Sequence, residues 1–275
     1  IQNLPLRQNG TFEFDTTKVF APISKHIVVL RSVETAANEI EKALRIMRQD
    51  RPGPVVIEIP LDIQGAKVEP QHRIPTVSGY APTRSGENIG AKNSLSIALD
   101  RAQRPLVLLG IGAIRAGVNC QIVKALDDAG IPYISTQFAR AAGRRGDPLF
   151  LGSPGIKGNR SANLAIMNCD TLIAIGTSLH QQVIGWDSDQ FKKSQAHKIW
   201  FELDADILSA RGDLVDEFFQ LSAQDATHTL SAALGTLRLS EDHWLSWLNL
   251  TEMWRSNYLL HHPEHAKVDG RMCLY

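Results

Sequence analysis

Residues 51–62 read RPGPVVIEIPLD, and this stretch decides how the rest of the chain is read. Val55, Val56, Ile57 and Ile59 would fill both faces of a strand, with Glu58 the one polar position. An apolar run on both faces is the pattern of a strand inside a parallel sheet. Pro54 and Pro60 bound it, because proline cannot donate to a sheet ladder. Before it, Ser32 is placed to cap a helix over 33–48, with Glu34 in the first turn. Val33, Ala36, Ala37, Ile40, Ala43, Leu44 and Met47 recur at helical spacing and form one apolar face. A helix feeding such a strand is half of a βαβ unit. So little sequence precedes it that its sheet partners are expected to lie before Ile1, in a longer polypeptide. The lack of an initiator methionine and of a signal-peptide pattern agrees with that expectation.

Downstream, residues 65–90 are rich in Gly, Pro and polar side chains with no sustained period, and read as a linker. From Ser94 regular alternation returns: helix in SLSIALDRAQ, strand in LVLLGIG, helix in VNCQIVKALDDAG with Gly130 at its end, strand in IPYIST. A helix in NRSANLAIMNC, strands in TLIAIGT, KIWFELD and EFFQLSA, and a helix in QDATHTLSAAL follow. Strands alternating with helices predict an α/β fold: a parallel-sheet, Rossmann-like central domain covered by helices on both faces, preceded by a partial α/β domain. Trp244, Trp247, Leu248 and Met253 are spaced to cover one face of a further helix.

The 275 residues carry 29 Lys and Arg against 29 Asp and Glu, so no net charge points to nucleic acid or a membrane surface. No apolar run approaches the roughly 20 residues of a membrane span. Three cysteines without metal-ligand spacing suit a reducing compartment, and a cytoplasmic location is expected.

Two glycine clusters stand out. GIGAIRAG follows the first strand of the second block but has Arg115 where a dinucleotide fingerprint wants its third glycine. The next strand ends in Ser135 and Thr136 rather than an acidic residue, so a tight turn competes with cofactor contact as its explanation. In LGSPGIKGNRSANLA, Gly152, Gly155 and Gly158 precede a helix N-terminus that could hold an anion, or that Asn159 or Ser161 could cap without a ligand. HHPEH (261–265) reads as a solvated loop rather than a metal site, and Arg140, Arg144 and Arg145 lie in a basic loop at a strand's carboxyl end. His180 reads as a hydrogen-bonded structural histidine.

Taken together, RPGPVVIEIPLDIQ, GTFEFDTTKVFAPISKH, PLVLLGIGAIRAG, GIPYIST, LGSPGIKGNRSANLAIMNCDTLIAIGTSL, KIWFELD and WLNLTEMWRSNY resemble, in order, segments of thiamine-diphosphate enzymes of the acetolactate synthase-like family. The resemblance implies the C-terminal part of a pyrimidine-binding domain (1–68), a linker (69–90), a central domain (91–236) and a connector (237–275) to a diphosphate-binding domain beyond the chain. It implies a parent enzyme that decarboxylates or ligates 2-oxo acids, as a homodimer or homotetramer, with thiamine diphosphate and Mg²⁺ held mainly by parts outside these residues. The family's catalytic glutamate would precede Ile1, and its Gly-Asp-Gly motif does not occur here, so these residues alone are expected to be inactive. Phe12 and Lys25 match family positions at the substrate channel; Glu13 stands where the family has Gln, and a carboxylate there would disfavour an anionic oxo acid.

Acetolactate synthases also hold FAD in this domain. The matching positions are Gly110, Gly112, Thr136, Gly152, Gly176, Glu202 and Asp225, with Arg84 in the linker. Two family arginines, however, are Ser178 and Gln182, and a Met-His pair is Ser153-Pro154. Losing two guanidinium groups removes strong diphosphate anchors. Flavin binding and a central domain that serves only structure therefore stand as alternatives. The rival readings of the whole chain are a stand-alone nucleotide- or flavin-binding module and a non-catalytic assembly domain.

Overall fold

The computed structural model describes residues 14–67, 88–144, 146–238 and 243–258. Phe12, Glu13, Arg84, Arg145 and the histidine-rich 261–265 stretch lie outside the described residues, as does most of the 69–90 stretch. The chain divides into two compact units, Ile1–Thr83 and Arg84–Tyr275.

In the first unit, helix α1 (Thr16–Phe20) leads to strand β1 (His26–Val29), helix α2 (Val33–Arg48), strand β2 (Val55–Glu58) and a single turn, α3 (Leu61–Gln64). The Ser32 hydroxyl accepts the Thr35 N–H and starts α2 as the sequence predicts, with Glu34 in the first turn and Arg45 and Arg48 in the last. Strand β2 pairs in parallel with β1, His26 opposite Val55 and Val29 opposite Glu58. This corrects the expectation that all partners of β2 lie before Ile1. The missed partner is HIVV, a four-residue run too short for its period to distinguish it. All four residues of each strand are half-buried, so the two-faced burial expected of β2 is not met among the described residues.

The second unit runs α4 (Ile89–Arg101), β3 (Pro105–Leu109), α5 (Ile111–Arg115), α6 (Asn119–Ala129) and β4 (Tyr133–Ser135). It continues with α7 (Arg160–Asn168), β5 (Thr171–Ile175), α8 (Gln181–Ile184), α9 (Ser188–Lys192) and β6 (His197–Glu202). It closes with α10 (Ala205–Arg211), β7 (Glu217–Gln220), α11 (Ala223–Leu234) and α12 (Leu245–Asn257). The five strands form one parallel sheet in the order β4-β3-β5-β6-β7. Alternation sends Val107, Leu109, Ile173, Ile175, Ile199 and Phe201 to one face, under α4, α6 and α11. Leu106, Leu108, Leu172, Ala174 and Trp200 go to the other, under α7, α10 and α12. All residues of β3 and β5 are buried, as a sheet covered on both faces requires.

Gly130 ends α6 in the left-handed conformation at φ 68°, as the sequence anticipates. The stretch 245–257 is helical, with Trp244 and Trp247 buried and their indole N–H groups donated to the carbonyls of Ala102 and Pro105. Met253 departs from the expected apolar face and is exposed, because α12 drives its Trp244–Trp247 end into the core and leaves its outer side to solvent.

Candidate functional site

The strand order fixes where a ligand would sit. From β3 the chain steps to β4 on one side, then crosses to β5 on the other, so the order reverses between β3 and β5. In open α/β sheets the crevice outside the carboxyl ends at such a reversal is the usual ligand site. Of the residues singled out from sequence, Gly110, Gly112, Thr136, Gly152, Gly176, Glu202 and Asp225 lie along this carboxyl edge.

Gly110 and Gly112 follow β3, and Gly176 follows β5. The Gly112 N–H donates to the Gly176 carbonyl at 2.9 Å, and the Gly110 N–H to that of Ile175 at 2.9 Å. A Cβ on Gly110 would lie 2.0 Å from the Gly176 oxygen, and one on Gly112 2.8 Å from the Gly176 Cα. Gly176 itself has φ 62°, which favours glycine. The cluster therefore needs glycine for a close approach of two backbones at the switch point. The tight turn proposed from sequence is not the reason for Gly110, whose φ is −96°.

Thr136 ends the neighbouring strand, nearly fully buried, with its N–H on the Leu109 carbonyl at 2.8 Å. Ser135 donates its N–H to the Gly152 carbonyl, which ties Gly152 to the same edge. The hydroxyls of Ser135 and Ser153 are buried and have no hydrogen-bond partner among the described residues. Neither Asn159 nor Ser161 caps α7. The Asn159 side chain accepts the Ser153 N–H, and the Ser161 hydroxyl donates to the Leu151 carbonyl. Asn163 holds Gly155 from both sides, accepting its N–H at 2.7 Å and donating to its carbonyl at 3.1 Å. These side chains stitch the 152–158 loop to its own backbone.

The loop after β5 is held from beneath. The Trp200 indole donates to the Thr177 carbonyl at 2.7 Å, and Arg211 donates to that of Leu179 at 2.9 Å. Leu179 is buried at φ 44°, a conformation non-glycine residues rarely adopt. His180 caps α8 by accepting the Gln182 N–H on Nδ1, the structural role expected of it. Burial, then the nearby Arg211 charge, holds its pKa below the usual histidine range. Along the same edge, Glu202 is 8% exposed and accepts the N–H groups of Leu203 and Asp204. Asp225 forms a reciprocal pair with Ser222, whose hydroxyl accepts the Asp225 N–H and donates to its carboxylate.

Lys25 lies in the first unit. Its ammonium donates to the carbonyls of Gln49 and Arg51 just past the end of α2, a site that also complements the helix dipole. Arg144 pairs with Asp127 at 3.7 Å. Sequence reasoning did not find the roles of Trp200, Asn163 and Arg211 at this edge; each acts through a long-range contact that no local pattern encodes.

Residues 94–217 match the family described as "Thiamine pyrophosphate enzyme, central domain". The central part of this chain is thus similar to the thiamine pyrophosphate enzymes. Its fold agrees, with a parallel five-stranded sheet flanked by helices. The chain is also similar to the acetolactate synthase large subunit of Parasynechococcus marenigrum, 30% identical over 263 residues that cover 92% of this chain and 41% of the relative. The probable acetolactate synthase large subunit of Methanocaldococcus jannaschii is 30% identical over 63% of this chain and 30% of its own length. Isozyme 1 of Escherichia coli K12 is 33% identical over 65% of this chain and 31% of its own length. The chain thus spans 30 to 41% of the length of these curated relatives.

The family resemblance implies thiamine diphosphate anchored through a divalent metal. Among the described residues no group of three or more His, Cys, Asp or Glu could hold a metal ion. The described residues therefore do not fit the cofactor's metal-diphosphate end. Nor is any helix among them long and apolar enough to cross a membrane.

Proposed function

We propose that the chain supplies the central domain, and the strand pair before it, of an enzyme that uses thiamine diphosphate and Mg²⁺ to decarboxylate a 2-oxo acid, to ligate it to a second carbonyl compound, or both. The observation that carries this reading is the family match over 94–217, joined to the similarity to the acetolactate synthase large subunits named above. The cofactor supplies the electron sink; the protein binds and orients it. What these residues contribute is a rigid sheet, closed at its switch point by Gly110, Gly112 and Gly176. The large share of each relative lying outside the match supports cofactor-binding parts encoded elsewhere in the same polypeptide. On this reading the enzyme is a homodimer or homotetramer in the cytoplasm, a transferase or lyase, and these 275 residues alone are inactive.

The test is to express the complete reading frame and follow carbon dioxide release and product formation from pyruvate and bulkier 2-oxo acids. Turnover that needs both thiamine diphosphate and Mg²⁺, and that the 275 residues alone do not support, is the expected result. Turnover independent of thiamine diphosphate, or none on any 2-oxo acid, overturns the proposal.

A further inference from the structure

We propose that the carboxyl-edge crevice of this chain is closed to a flavin dinucleotide, and that of the two residues at the family's adenosine-end positions Glu202 caps its own backbone while Asp225 holds the Ser222 hydroxyl that caps α11. Three sets of contacts argue for it.

The first concerns donors. A diphosphate bound at a strand edge takes backbone N–H groups from the glycine-rich turns around it. Here seven of those groups are already given to protein acceptors. Gly110, Gly112, Ser135, Thr136 and Gly176 donate to the carbonyls of Ile175, Gly176, Gly152, Leu109 and Phe201. The N–H groups of Ser153 and Gly155 go to the side chains of Asn159 and Asn163. A dinucleotide would have to displace these bonds one by one, each leaving a partner unsatisfied.

The second concerns space. A Cβ placed on Gly155 would lie 1.8 Å from the Gln182 oxygen, so the 152–158 loop and α8 touch backbone to backbone. Leu179 turns into the core under the loop after β5, pinned through its carbonyl by Arg211. The Ser135 and Ser153 hydroxyls are shut away from solvent.

The third concerns charge. Ser178 and Gln182 are neutral at the two positions where the family resemblance implies arginines. Of the described cations near this edge, Arg211 is committed to Leu179 and Arg144 to Asp127, while the half-buried Arg140 and the exposed Lys157 of the 152–158 loop remain. Asp204 and Asp206 add negative charge beside the carboxyl end of β6, and like charge disfavours a diphosphate. Glu202 and Asp225 hold backbone and side-chain donors of their own turns: Glu202 those of Leu203 and Asp204, Asp225 the Ser222 hydroxyl.

The experiment titrates FAD into the purified 275-residue protein, in samples whose circular dichroism shows a cooperative melt. Flavin fluorescence, flavin retained through gel filtration and the melting midpoint are recorded. The proposal expects no saturable quench, no retained flavin and no rise in Tm. Flavin retained at one per chain, or a Tm that climbs with FAD concentration, overturns it. The cap assignment is tested on variants. Glu202→Ala and Asp225→Ala should each lower Tm by about 2–4 °C, while Glu202→Gln, which keeps an acceptor oxygen, should restore most of that loss. Alanine variants as stable as the parent protein overturn the cap assignment. The titration needs no turnover, so its outcome stands whichever way the 2-oxo acid assay falls.

Discussion

Two stretches look alike on the page and meet different fates: VVIE of β2 and PLVLL of β3. Both are apolar on both faces and both pair in parallel. Every residue of β3 is buried, between β4 and β5 and beneath helices on either side. Every residue of β2 is half-buried, beside the single described partner β1. A strand's sequence states what surroundings it needs, and only its neighbours supply them. A two-stranded pair is marginal by itself, whereas a five-stranded sheet with two helical layers is not. The exposed Phe14, Val19, Ile23, Ile59 and Leu61 of the first unit fit the same contrast.

The sharpest way to break the comparison is to remove side chains at matching places. Trp200→Ala removes a fully buried indole and leaves the Thr177 carbonyl unsatisfied. It should cost about 3–5 kcal/mol in urea unfolding. Val56→Ala, on a half-buried strand, should cost about 1 kcal/mol or less. Equal losses would mean that the two sheets are equally covered.

A glycine pair comes next. Gly110→Ala would thrust a methyl 2.0 Å from a backbone oxygen, and should cost about 3 kcal/mol or more. Gly53→Ala meets only the flexible stem of Lys25 at 2.9 Å, so its cost should stay within about 1 kcal/mol. Similar melting temperatures for the two variants would contradict the close approach at the switch point.

Which of these differences could be read in advance follows from the range of the interactions. Helix α2 and the longer helices and strands from Ser94 to Leu234 were legible because period and breakers are local: Ser32 before α2, Gly130 after α6, the continuous apolar run of β5. The strand β1 was missed because HIVV is short. The short helices α5 and α8 to α10 were missed because one or two turns leave no period to count. At the crevice the glycine positions were legible, but their reason was not. That Gly110 faces Gly176 depends on strand order, which lies 66 residues away in sequence. The uses of Asn159, Asn163 and Glu202 were hidden for the same reason, since side-chain hydrogen bonds to backbone are fixed only once the loops are placed. The resemblance located the crevice residues; the geometry says what their polar groups hold.

The smallest effect is one of pH. The neutral imidazole of His180 accepts the Gln182 N–H, and burial lowers its pKa in the folded state. Between the folded pKa and the ordinary value near 6.5 the unfolded chain binds more protons, so stability rises with pH across that window. The contribution is present above about pH 6.5 and is lost as pH falls through the folded value. His180→Asn keeps a capping acceptor without the titration, and should show a smaller drop in Tm from pH 7 to pH 5 than the parent protein. An identical drop would remove His180 from the account.

The central claim is that, among the described residues, the sheet of the second unit is covered on both faces and the strand pair of the first is only half-covered. Hydrogen–deuterium exchange, read peptide by peptide at neutral pH, tests it most directly. Amides of Leu106–Leu109 and Leu172–Ile175 should exchange only through global unfolding, while those of Ile27–Val29 and Val56–Glu58 exchange far sooner, through local opening. Equal protection of β1–β2 and β3–β5 would contradict the claim.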